Sequence, residues 1–219
     1  MSAMSVRATS FVGGVVLSAY MYLVVSATAL GTNPLFVFEE GVAATTGIPF
    51  GVVTAVNGLF LLGLAAIMRA PVGPGTLSVP VMFGVGVEVM APLVPSMGAS
   101  APGGFVLRLV VLVVATHLMA LGAALVVRAS FGAAAIDAVM LGLSSLLGRD
   151  TARVRLVMEV ALAAGGVAMG GAAGLGTIAA GLTVGHSFRY WTRLLGGTDR
   201  STDRRAVRRR SHRRAAAPT

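Results

Sequence analysis

The stretch Gly73–Glu88, GPGTLSVPVMFGVGVE, returns 101 residues later as Gly174–Arg189, GLGTIAAGLTVGHSFR, with Gly73/Gly174, Gly75/Gly176, Thr76/Thr177 and Gly84/Gly185 in register. Carried outward, the same offset aligns Gly31/Gly132, Gly41/Gly142, Gly47/Gly148, Val53/Val154 and Arg7/Arg108. Chance superposition of two such halves would pair about two glycines. The chain therefore reads as a tandem duplication, with repeat 1 over residues 7–95 and repeat 2 over 108–196. Aligned glycines in apolar sequence predict an all-α, polytopic transmembrane bundle of two pseudo-symmetric repeats.

Composition supports that class. Hydrophobic residues make up 56% of the 219 and charged residues only 11%, and mean hydropathy is +0.86, against roughly a quarter charged in a soluble domain. Cysteine is absent, which removes disulfides, thiolate metal sites and cysteine nucleophiles. The net charge of +9 gathers at one end: residues 197–219 hold eight Arg against Asp199 and Asp203, a net +6. With almost no apolar side chains, that tail reads as disordered, separate from a membrane domain over residues 1–196. Its expected partners are the lipid bilayer and anionic headgroups, at about 1 kcal/mol per Arg near the surface. No aromatic interleaves its arginines to stack on bases, so no nucleic-acid role is expected.

Apolar segments fall at Ser10–Leu30, Ile48–Met68, Thr76–Leu93, Phe105–Val127, Leu156–Ala173 and Thr177–Trp191, predicting six spans. Ala27-Thr28-Ala29 imitates a signal-peptidase site, but the long apolar run, with a repeat partner after Arg108, reads as an uncleaved span. Two shorter stretches, Pro34–Thr46 and Gly132–Leu147, predict interfacial or re-entrant helices; the first, at about 20 Å, is too short to cross. Three spans per half make the halves inverted. With the N-terminus inside, this arrangement leaves only Arg108 on the outer side, which favours it over eight crossings and puts both termini in the cytoplasm.

The run GTNPLFVFEEGVAATTGIPFG (Gly31–Gly51), Asn57, the GPGT turn and GVGVE (Gly84–Glu88) together resemble the YczE/YyaS/YitT-type bacterial integral membrane proteins, closest to the YczE-like branch. Where that pattern places an acid two residues after the proline of the short helix, this chain has Phe36, whereas the second copy keeps Asp137 but has Ala135 in place of proline. The resemblance implies a bacterial inner-membrane location and no particular reaction.

Ionisable groups at membrane depth are the first functional candidates, because a charge near the bilayer centre costs at least about 2.5–3.5 kcal/mol. Glu88 and Asp137 have no local partner. Glu39 and Glu40 either line a polar path or sit at the headgroup level, and Glu159 is placed to pair with Arg155 one helical turn earlier. His117 and His186 lack a third ligand at a metal-binding spacing and read as interhelical hydrogen-bonding groups, so no metal and no cofactor is expected. Asn57 serves as helix–helix glue or as a ligand group. The two G-x-G-T turns start helices whose positive ends could face a shared anionic group. The candidate substrate-binding set is therefore Glu88, Asp137, Asn57, Gly73, Gly75, Thr76, Gly174, Gly176 and Thr177, bordering one central polar cavity.

With no Lys for a P-loop, no HExxH and no GxSxG, enzymatic classes are not supported. What remains is a permease for a small-molecule solute with a midplane site between the repeats, or a non-transporting membrane scaffold or regulatory protein. A homo-oligomer suits either. Convergence of the candidate residues on one cavity favours the first, and dispersal favours the second.

Overall fold

In a computed structural model, the described residues are 3–70, 73–95, 104–131 and 134–196, and they form helices without strands. In order these are α1 (Ala3–Ala27), α2 (Pro34–Thr46), α3 (Phe50–Ile67), α4 (Pro74–Met90, with a 3-10 turn Ala91–Leu93), α5 (Gly104–Ala129), α6 (Ala135–Leu147), α7 (Thr151–Ala168) and α8 (Leu175–Leu194). The Arg-rich tail and Gly132, where the second short segment was expected to start, lie outside the described residues.

Four helical stretches are long and apolar enough to cross a membrane: Met4–Ala27, Phe50–Ile67, Gly75–Leu93 and Gly104–Ala129. This is the build of an integral membrane protein. Helix α7 carries Arg153, Arg155 and Glu159 within its 18 residues, and α8 is less apolar over 20, so these two match the six-span expectation by length alone. Large apolar side chains such as Phe60, Ile67, Val106 and Val157 stand exposed along the helices. Such a surface suits lipid, since the backbone hydrogen bonds are satisfied within each helix.

Helix α1 lies antiparallel along α5. Arg7 at its start donates to the carbonyl of Ala129, and Arg108 at the start of α5 donates to that of Thr28. Glycine makes the close approach feasible, since a Cβ on Gly14 would stand 2.6 Å from the carbonyl oxygen of Gly122. Around this pair α4 packs on α1 and α8 on α5, while α2 reaches across to α7 and α6 to α3.

The 101-residue spacing recurs in these elements. Helices α2 and α6 begin and end 101 residues apart, as do α3 and α7. Left-handed backbone recurs at Ala29 and Ser130 (φ 51° and 59°), Gly47 and Gly148 (71° and 59°), and Arg69 and Gly170 (53° and 91°). The pattern breaks at one seam. Helix α3 packs tightly on α4, Gly51 against Gly84 and Gly58 against Pro80. Helices α7 and α8 are not packed in this way, and Gly181 and Gly185 face open space.

Local chemistry accounts for the short helices. Asn33 caps α2, its Oδ1 accepting from the amide of Phe36 at 3.1 Å, and Pro34 supplies a first residue that needs no donor. Gly47 and Gly148, both left-handed, end α2 and α6.

Candidate functional site

Two neighbouring cavities lie between the helices. The larger, about 310 Å³, is bounded by Asn33, Leu35, Phe36 and Glu39 of the α2 region, Thr54 and Gly58 of α3, Phe83 of α4, and Ala134–Ile136 where α6 begins. Ser18 of α1, Met119, Ala120 and Ala123 of α5, and Val184 and Phe188 of α8 also line it, and those of α1 and α5 sit near the middle of their helices. The starts of α2 and α6 therefore meet at mid-height of the α1–α5 pair. At 13 residues each, both are half-length elements of about 20 Å. The smaller cavity, about 170 Å³, opens where α7 stands apart from α8 and holds Asp137, Arg155 and Glu159. Asn33, Leu35, Ile136 and Val184 wall both.

Glu39 is the acid of the larger cavity and is only 2% exposed. Thr54 Oγ1 donates to its Oε2 at 2.7 Å, and Asn57 Nδ2 donates to its Oε1 at 2.7 Å. Both partners come from α3, 15 and 18 residues along the chain. Glu40 points the other way and accepts from the Tyr22 hydroxyl at 3.0 Å, the Thr32 hydroxyl at 3.2 Å and the Ala172 amide at 3.4 Å. Neutral donors surround both carboxylates, and among the described residues neither forms an ion pair. Glu39 and Glu40 thus face protein, one buried and one half-buried. Helix α2 is tucked against α7 and α3, which withdraws both from the surface.

The expected site residues separate. Asn57 joins Glu39. Asp137 lines the smaller cavity beside the Arg155–Glu159 pair, whose Nε–Oε1 distance is 2.7 Å. Glu88 is exposed and lines neither cavity; its Oε1 accepts from the Gly51 amide at 2.7 Å and caps α3. The two G-x-G-T turns lie at opposite ends of the α1–α5 pair. The Gly75 amide donates to the Phe131 carbonyl at 2.8 Å, and the Gly176 amide to the Leu30 carbonyl at 2.7 Å. Thr76 and Thr177 each accept from the amide three residues earlier, Gly73 and Gly174, at 3.1 and 3.2 Å. These turns dock one half of the chain on the other, and they do not converge on a shared cavity.

His117 makes the interhelical bond expected of it, Nδ1 to Ser187 Oγ at 2.8 Å, and its carbonyl accepts from Trp191 Nε1. Among the described residues no three His, Asp or Glu side chains gather as metal ligands. The residue that sequence reasoning left outside the candidate set is Glu39. Its signal was available: two adjacent acids inside a 13-residue apolar helix are costly at depth unless something receives them.

Residues 5–193 match the family model of DUF6198, described as a family of unknown function. No curated protein and no solved structure matches the chain. That match carries membership of DUF6198 and does not bear on the resemblance to the YczE-like branch.

Proposed function

We propose that this chain, which belongs to DUF6198, a family of unknown function, is a small-solute permease of the bacterial inner membrane whose site lies between two inverted repeats. The observation that carries the reading is the meeting of the α2 and α6 starts, with Glu39, at one cavity half-way along the α1–α5 pair. Half-length helices ending at the midplane of an inverted pair are a recurring way to build a transport site, because irregular backbone at that depth persists only where it lines a cavity. The cavity volume of about 310 Å³ falls within the span of roughly 300–1,000 Å³ usual for ligand pockets.

Halves three spans deep, together with the arginine-rich tail, favour cytoplasmic termini and attachment of the tail to anionic headgroups. The reading needs no enzymatic step and no cofactor.

Iso-osmotic swelling of proteoliposomes tests it. In a panel of glycerol, urea, ammonium and methylammonium salts, at least one solute should swell vesicles faster with protein than without. Val184→Trp, which fills the wall shared by the two cavities, should abolish the difference. If no solute enters faster than in empty vesicles although the protein is folded, the scaffold reading replaces this one.

A further inference from the structure

The charges facing the two cavities are unequal. Asp137, Glu159 and Glu39 stand against Arg155 alone, so the described lining carries a net charge of −2 when all four are ionised. Asp137 and Glu159 line the smaller cavity between α7 and α8, and Glu39, the more deeply buried acid, lines the larger. Around Glu39 the lining is mostly apolar, with the rings of Phe36, Phe83 and Phe188 and the side chain of Met119 beside the polar Ser18, Asn33 and Thr54.

The opening belongs to the sequence. Where α3 has Gly51 and Gly58, which admit the backbone of Gly84 and the ring of Pro80 on α4, the positions 101 residues on are Ala152 and Glu159. Glu159 is held to Arg155 in an ion pair and lines the smaller cavity. Closing this seam as tightly as the α3–α4 seam would bury that charged pair.

From this geometry we infer that the larger cavity binds an amphiphilic organic monocation, its charge against Glu39 and its apolar body against Phe36, Phe83 and Phe188. The inference rests on the proposed reading of the cavity as a solute site and names its substrate class. Thr54 and Asn57 each donate to Glu39, which holds the carboxylate oriented and leaves it without a countercharge among the described residues. A monocation supplies that charge, and the phenyl rings of the lining offer an apolar surface to its organic body. An anion would meet only repulsion from Glu39. A strongly hydrated inorganic cation would exchange its water shell for a mostly apolar wall.

Equilibrium binding to the purified full chain in lipid nanodiscs tests the assignment with three probes sharing one ring: benzyltrimethylammonium, benzyl alcohol and phenylacetate. Benzyltrimethylammonium should bind saturably, and Glu39→Gln, which keeps the shape and hydrogen-bonding reach of the side chain, should weaken it at least about tenfold. Val184→Phe, which narrows the same space without touching a charge, should also weaken it. Asp150→Asn, which removes an exposed charge at the start of α7, serves as the charge control and should leave binding unchanged. Phenylacetate binding as tight as that of the cation, or undiminished cation binding in folded Glu39→Gln, would overturn the inference. Should Glu39→Gln not fold, undiminished binding in Val184→Phe overturns it instead. Glu39-dependent binding without swelling in the flux assay keeps the ligand class and removes the permease; swelling with neutral solutes and no cation binding does the reverse.

Discussion

Arg108 Nε donates to the carbonyl of Thr28 at 2.7 Å, and its Nη2 donates to that of Ala29 at 3.1 Å, so one guanidinium closes the carbonyl end of α1. At the other end of the pair, Arg7 Nε donates to the carbonyl of Ala129 at 3.0 Å and its guanidinium lies 5.2 Å from the centre of the Phe131 ring. Arg7 and Arg108 are 101 residues apart, and so are Thr28 and Ala129. Terminal helix carbonyls lack intrahelical partners, and a cation there also meets the negative end of the helix dipole.

Arg108→Ala is expected to lower stability by about 1.5–3 kcal/mol, the range for hydrogen bonds to a charged group. Arg108→Lys should recover only part of this, because an ammonium does not reproduce the planar fork that holds two carbonyls. Thermal unfolding in detergent, with both variants beside the parent, measures the difference. Equal stability of all three would show the contact to be idle.

The unequal seams give a paired test. A Cβ on Gly84 would run into the carbonyl of Gly51, so Gly84→Ala should force α3 from α4 and cost about 1–3 kcal/mol. A Cβ on Gly185 meets nothing within 4 Å. Gly185→Ala should therefore leave stability unchanged or raise it by up to about 1 kcal/mol, since Ala is the better helix former. Equal losses in the two variants would mean that α7 and α8 pack as closely as α3 and α4.

Glu88 and Asp137 should behave differently. Glu88→Ala removes the cap on the Gly51 amide and should cost about 0.5–2 kcal/mol, leaving swelling rates as they were. Asp137→Asn should reduce solute entry and keep stability within about 1 kcal/mol, the usual scale for a change outside a packed core. Unfolding curves and swelling rates on the same preparations separate the two effects.

Much of the helix layout was legible in the sequence, because glycine register and apolar run length act locally. Gly47 and Gly148 mark helix ends, and Pro34 marks a helix start, by their own backbone preferences. The site was less legible, because it depends on which helices cross between halves. Glu39 meets Thr54 and Asn57 only once α2 folds back on α3, and nothing in the spacing of 15 and 18 residues announces that meeting. The G-x-G-T turns were visible as a pair, yet the antiparallel run of α1 and α5 sends them to opposite ends. Repetition in sequence marks what the two halves share, whereas the acids of the smaller cavity sit where the halves differ: Gly58 answers to Glu159, and Phe36 to Asp137.

Because the chain contains no cysteine, single-cysteine labelling reads the central cavity without background. Ile136 walls both cavities near the meeting of the α2 and α6 starts, and Thr46 is exposed at the far end of α2. In proteoliposomes, Ile136→Cys should react with a water-soluble cationic methanethiosulfonate reagent, and Val184→Trp in the same chain should block that reaction while Thr46→Cys stays fully labelled. Full labelling at Thr46→Cys with none at Ile136→Cys would show that water does not reach the meeting point of the half-length helices, and would contradict a transport site there.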